Sequence, residues 1–226
     1  MHWKRHTLLD ISDTRRKELL AELADNSPTL REKLKVLLLP DSGGTRVPGI
    51  VRREELAPRS GCIPIGFCSP LADENGRLRV AAFINPEDVV KVTSPYELLS
   101  RPIPLRTSST MALAAVRDQA AEMELTLGVW GSAALELYTS LPYTHSDSDL
   151  DLLVPAASRE KLCRFLEKIR GLEERFHLRI DLEVDLPSGF GVNLKELLGK
   201  TRTVIGKSFA GVEMFNREQI LDDLPH

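Results

Sequence analysis

The sequence is poor in cysteine, in long apolar runs and in net positive charge, and each shortage removes a class of protein. Three cysteines, Cys62, Cys68 and Cys163, form an odd set without CxxC spacing, so neither a disulfide framework nor a zinc site is expected and the thiols read as reduced packing residues. No apolar stretch approaches the roughly 20 residues of a membrane span, and the opening MHWKRHTLLDISDTRRKELL turns charged too early for an export signal. A cytoplasmic protein without membrane contact is the expectation. Thirty basic against 33 acidic residues give a net charge of −3, which lacks the excess that holds a nucleic acid by its phosphates. No nucleic-acid partner is therefore expected. Repeats and low-complexity tracts are missing as well.

What is present is the balance of a folded globular chain, 226 residues long with 42% apolar and 28% charged residues. That length suits two small domains. ISDTRRKELLAEL, with Ser12 or Asp13 as N-cap, predicts a helix, and Pro28 to Val36 a second. SGGTRVPG then breaks the pattern. Short apolar runs at 47–56 and 62–67, and RLRVAAFI after the ENG turn, read as strands. SPYELLSRPIPLRTSS interrupts regular structure with three prolines, placing a boundary near Pro95 to Ser108. The expected division is 1–100, a small α+β domain, and 101–226, a second domain. The latter should begin with the helix TMALAAVRDQAAEMEL, followed by the strands TLGVW, LDLLVP and LRIDLEVDL, with the helix SREKLCRFLEKIRGL between the last two.

Chemistry concentrates in Val129 to Val154, VWGSAALELYTSLPYTHSDSDLDLLV. A strand that ends in Gly131 and Ser132 and opens a helix presents backbone N–H groups and a hydroxyl to a phosphate. Seventeen positions beyond Ser132, Asp149 and Asp151 flank Leu150, and strand alternation sets both on one face. Two close carboxylates repel unless a cation lies between them, so the pair suggests a magnesium ligand set. RIDLEVDL adds Asp181, Glu183 and Asp185 on one face. If that strand lies beside the first, Asp181 is the preferred third ligand or proton acceptor, with Glu183 as the alternative. A DLDL string alone is common on solvated strands and a Gly-Ser pair is an ordinary turn; their order along the chain is what carries the reading.

These segments resemble the nucleotidyltransferase superfamily, with its Gly-Ser turn, DxD strand and later acidic strand. GSAALELYTSLPYTHSDSDLDLLV resembles more closely the phosphoribosyl-dephospho-CoA transferases, or holo-acyl-carrier-protein synthases, of malonate decarboxylase systems. RHTLL, PGIVRRE, IPIGF and the Arg101-Pro102 region extend the likeness over most of the chain. The resemblance implies an α+β fold in which the first domain recognises donor or carrier and the second is a mixed sheet flanked by helices. It implies the donor 2′-(5″-triphosphoribosyl)-3′-dephospho-CoA, attacked by a serine of the decarboxylase's acyl-carrier subunit with loss of pyrophosphate. Gly131 and Ser132 would hold the triphosphate, Asp149 and Asp151 magnesium, and Asp181 the third position. Of the basic residues Arg101, Arg106, Lys161 and Lys207, Lys207 in VIGKSF stands where the family tends to show lysine and is expected to bind substrate.

The loop LPYTHSDS lengthens the interval between turn and DxD relative to many superfamily members. Tyr143, His145 and Asp147 in it could read ribose or adenine but are expected to face solvent, and His177 is expected to be structural. Two other functions fit the same residues. One is an adenylyltransferase acting from ATP on a small molecule or protein, and the other a non-catalytic nucleotide-binding module.

Overall fold

The computed structural model describes residues 3–26, 28–53, 59, 61–74 and 76–225. Glu54 to Leu56, the end of one expected strand run, and Asn75 of the expected ENG turn lie outside them. The fold is α+β and is built on two sheets.

The first sheet is antiparallel and five-stranded, in the order β4-β3-β2-β1-β5. Its strands are β1 (Leu8–Ile11), β2 (Gly49–Val51), β3 (Ile63–Asp73), β4 (Gly76–Ile84) and β5 (Val89–Thr93). Helices α1 (Asp13–Asn26) and α2 (Arg31–Leu38) contribute to its core, where Leu19, Leu37 and Leu38 cluster with Leu9, Ile11, Ile63, Ile65 and Phe67. Ser12 caps α1, its Oγ accepting the Arg15 N–H at 3.2 Å. β1 and β5 were not expected from sequence, being four and five residues long and broken by charge; pairing on both sides of β1 supplies what local pattern does not.

The second sheet has the order β11-β10-β9-β8-β7-β6. It comprises β6 (Gly128–Trp130), β7 (Leu150–Pro155), β8 (Ile180–Asp185), β9 (Gly191–Asn193), β10 (Thr203–Lys207) and β11 (Val212–Asn216). Only β7 and β8 run parallel, joined by the crossover helix α5 (Arg159–Phe176); the other pairs are antiparallel. Leu150, Leu152 and Val154 of β7 and Ile180, Leu182 and Val184 of β8 join a core with α3 (Ser108–Glu122) and the Leu162, Phe165, Leu166 and Ile169 stripe of α5. Alternation then turns Asp151, Asp181, Glu183 and Asp185 to the opposite face. α4 (Gly131–Thr139) follows β6 directly; α6 (Leu194–Leu197) and α7 (Arg217–Asp222) are short.

The proline-rich segment expected to be irregular is partly ordered. Pro95–Ser100 forms a 3-10 helix, because Ser94 and Glu97 make a reciprocal capping box and Pro95 falls where no N–H is needed. Its Tyr96 hydroxyl donates to Asp185 at 2.6 Å, and its ring lies against Gly128, tying the segment to the second sheet. Burial, then that hydrogen bond, push the Tyr96 phenol far above the usual range. Leu8 of β1 belongs to the second core and Ile50 and Cys68 pack on it, so the two sheets share a seam. Among the described residues no helix is long and apolar enough to cross a membrane.

Candidate active site

Three neighbouring strands set the site. Trp130 pairs with Asp151 across β6 and β7, and Asp151 with Asp181 across β7 and β8, so the three side chains stand side by side. Immediately after Trp130 the chain turns at Gly131, whose φ of 69° lies in the left-handed region. A Cβ there would come within 2.2 Å of Asp151 Oδ2. This glycine is what lets the first turn of α4 close onto the carboxylate. Gly131→Ala should lower stability by about 2 kcal/mol through the φ strain and the clash. It should also cut turnover by about a hundredfold or more by displacing Asp151. Thermal melts and steady-state rates of the purified variant measure both.

The start of α4 is open. Its N-cap, Trp130, supplies no side-chain hydrogen bond to the first-turn N–H groups, and Ser132 sits half-buried in that turn. Uncapped N–H groups at a helix start are a ready anion site.

Asp149 precedes β7 and is exposed; its carbonyl accepts the Ser109 hydroxyl at 3.4 Å. Burial, and then the charges of Asp181, Asp149 and Glu183, push the Asp151 carboxyl up to about 7 against a weaker pull from Arg179. Among the described residues the Asp151 carboxylate makes no hydrogen bond and no ion pair. Asp181 has one: Arg179 Nη2 lies 2.6 Å from its Oδ2 and Nε donates to Oδ1 at 3.0 Å.

Glu183, the alternative third carboxylate, is engaged differently. It is buried beside two cations, with Arg5 Nη1 at 3.4 Å and Lys207 Nζ at 3.5 Å, and His6 Nε2 lies 3.7 Å away. Burial alone would raise its carboxyl; His6, Arg5 and Lys207 reverse that and hold it at about 2. Burial in turn lowers the His6 imidazole, so at neutral pH the ring is uncharged. At 3.7 Å the His6 contact is too long for a hydrogen bond, and Nε2 is buried without a hydrogen-bond partner. The His6 ring also stacks on Trp130, centroids 3.9 Å apart. The residues at this face therefore come from both ends of the chain.

Of the expected donor-binding cations, Lys207 alone reaches this face. Arg101 donates to the Tyr138 carbonyl at 2.8 Å, and Lys161 to the Glu124 carbonyl at 3.1 Å. Arg106 grips the buried Glu136 with two nitrogens and donates to the Thr144 carbonyl, work that fixes the loop after α4. Tyr143 does not face solvent: it is fully buried, its hydroxyl donating to the Cys68 carbonyl at 2.8 Å, because the seam between the sheets covers that part of the loop. His145 and Asp147 are exposed, and His145 touches Arg77. His177 caps the end of α5 in the left-handed conformation.

Arg5, His6 and Trp130 were missed. RH before a short strand has no periodicity, and Trp130 looks like a strand-end apolar residue. Only the pairing of β1 with distant strands carries the pair to the acidic face.

The family profile described as the phosphoribosyl-dephospho-CoA transferase MdcG C-terminal domain matches residues 98–218, and that of the MdcG N-terminal domain matches 4–95. A phosphoribosyl-dephospho-CoA transferase of Xanthomonas axonopodis pv. citri (strain 306) is 31% identical over 162 residues, 72% of this chain and 75% of the relative. Proteins of the same name from Bradyrhizobium diazoefficiens and Pseudomonas fluorescens Pf-5 are 26% and 28% identical, over 76% and 74% of this chain and 75% and 76% of theirs. No solved structure matches. The chain is a transferase enzyme. It belongs to the phosphoribosyl-dephospho-CoA transferase family.

Proposed function

We propose that this chain transfers phosphoribosyl-dephospho-CoA from 2′-(5″-triphosphoribosyl)-3′-dephospho-CoA to a serine of a malonate decarboxylase acyl-carrier subunit in the cytoplasm, releasing pyrophosphate with magnesium as cofactor. One observation carries the reading: Asp151, unpartnered among the described residues and crowded by Asp149 and Asp181, faces the uncapped start of α4. A group with that much unmet negative charge suits a hard cation.

Among the described residues no three His, Cys, Asp or Glu side chains form a ready metal cage. Magnesium is often held by only one or two carboxylates and completed by substrate phosphates. Asp149 and Asp151 would hold the ion, which, when bound, neutralises charge on the phosphoryl oxygens. The α4 first turn, with Gly131 and Ser132, orients the triphosphate by its N–H groups. Lys207 offsets charge on the departing pyrophosphate. Asp181, tied to Arg179, serves as third ligand or receives the proton of the attacking serine. The P–O bond to the carrier serine forms as the bond to pyrophosphate breaks, so the enzyme needs positioning and charge neutralisation rather than a covalent nucleophile of its own. Residues 1–100 assist in recognising donor or carrier.

Mass spectrometry of apo carrier incubated with the enzyme, magnesium and either the triphosphoribosyl donor or ATP tests this. A mass increase equal to phosphoribosyl-dephospho-CoA, seen only with magnesium, is the expected result. Addition of AMP from ATP would establish the adenylyltransferase instead, and no addition from either donor would leave a binding module.

A further inference from the structure

We propose that Arg5 and Lys207 form a paired phosphate-binding site, with Glu183 acting as the bracket that aims them rather than as a metal ligand. The inference rests on the reading of Asp149 and Asp151 as the polyphosphate end of the active site and extends it to the N-terminal segment.

Glu183 lies two positions along β8 from Asp181 on the same face, so whatever it gathers stands beside the carboxylate group. It gathers Arg5, from the residues before β1, and Lys207, from the end of β10. β9 lies between β8 and β10, and there Gly191 leaves room: a Cβ would sit 2.9 Å from Glu183 Oε2 and 3.7 Å from Arg5 Nη1. The guanidinium is fixed through one nitrogen, Nη1, which donates to Glu183 Oε2 and, at 3.1 Å, to the Lys207 carbonyl. Its Nε and Nη2 make no hydrogen bond among the described residues. That is the edge which meets a phosphate with two parallel N–H groups. The Lys207 side chain, 47% exposed, likewise keeps ammonium donors in hand, its Nζ 3.5 Å from Glu183.

Two cations face Glu183, with the Asp185 carboxylate also close to the Gly191 position, and His6 stacked on Trp130 fixes the approach of the segment. A bound polyphosphate would then be met from one side by the α4 start and from the other by Arg5 and Lys207. The ligand class is a polyphosphate ester, and two parts of the donor have that chemistry: its triphosphate and the diphosphate bridge of dephospho-CoA.

Isothermal titration of the full chain with inorganic tripolyphosphate, and separately with dephospho-CoA, at constant magnesium, decides the matter. Arg5→Ala and Lys207→Gln should each weaken at least one ligand by about ten- to a hundredfold, with Arg5→Lys recovering part of the loss. Weakened tripolyphosphate assigns the pair to the triphosphate, and weakened dephospho-CoA to the diphosphate bridge. Wild-type affinity for both ligands in both variants would overturn the proposal. Should circular dichroism show Arg5→Ala unfolded, the exposed Lys207→Gln carries the test alone. Loss of binding in these variants supports the pair even where the carrier gains no mass, so a failed reaction assignment and a failed phosphate site give different results.

Discussion

Asp151→Asn should lower magnesium-dependent transfer about a thousandfold or more while making the metal-free protein more stable above neutrality. The rate loss follows because the amide removes charge from the position that faces both Asp181 and the α4 start. The stability gain follows from linkage. The Asp151 carboxyl is raised from 3.8 to about 7 in the fold, so the native state holds a proton that the unfolded chain has released. Stability is therefore undiminished below about pH 4 and falls as pH rises towards 7, by on the order of 3 kcal/mol after allowing for partial exposure. Glu183, held at about 2, acts oppositely: its contribution is complete above about 4.5 and fades as pH falls through its folded value. Metal-free protein should thus be most stable at about pH 4 to 5. Melting temperatures of wild type and Asp151→Asn at about pH 5 and about pH 8, with and without magnesium, check this. Equal melting of the two at the higher pH without metal would refute the account of crowding.

Arg16→Met should cost about 3 to 5 kcal/mol of stability, the largest loss expected from any single charged side chain in the first sheet's core. Arg16 is completely buried, and its guanidinium donates to the carbonyls of Ile11 at 3.3 Å, Leu38 at 3.1 Å and Val47 at 2.9 Å, and to Asp10 at 2.8 Å. One side chain thus satisfies the ends of β1 and α2 and the approach to β2 together. Methionine fills similar space and leaves three carbonyls and a carboxylate without donors. Arg16→Lys should recover only part of the loss, since a single ammonium cannot reach four acceptors spread in a plane. Urea denaturation gives the magnitude; a loss under about 1 kcal/mol for Arg16→Met would show that water replaces the network.

How much was legible follows from the range of each interaction. LDLLVP and RIDLEVDL betray their buried and exposed faces in period two, so the acidic row of Asp151, Asp181, Glu183 and Asp185 was readable, as was the helix between the strands. The Gly-Ser turn was readable as well, though not that Gly131 is required by the Asp151 oxygen. The distinction between Asp181 and Glu183 was not, because it depends on Arg5, 178 residues from Glu183. Tyr143 escaped for the same reason: a loop position gives no sign that Cys68 of another sheet will cover it. Arg16 sits on a helix among exposed charges, and nothing local separates it from Arg15 or Lys17. Arg101, Arg106 and Lys161 were candidates only through charge, and each is engaged by a partner far along the chain.

The contact between Arg5 and the Lys207 carbonyl spans 202 positions. On the ribosome, Arg5 emerges among the first residues and Lys207 near the end, so for almost the whole of synthesis this contact cannot form. β1 waits similarly for β2 and β5 before it has neighbours on either edge. Closure of such widely separated pairs is slow relative to helix formation. A nascent chain long enough to have made β7 thus still lacks Lys207 of β10. Lys207 can meet Arg5 only after β10 has been made and has paired with β9.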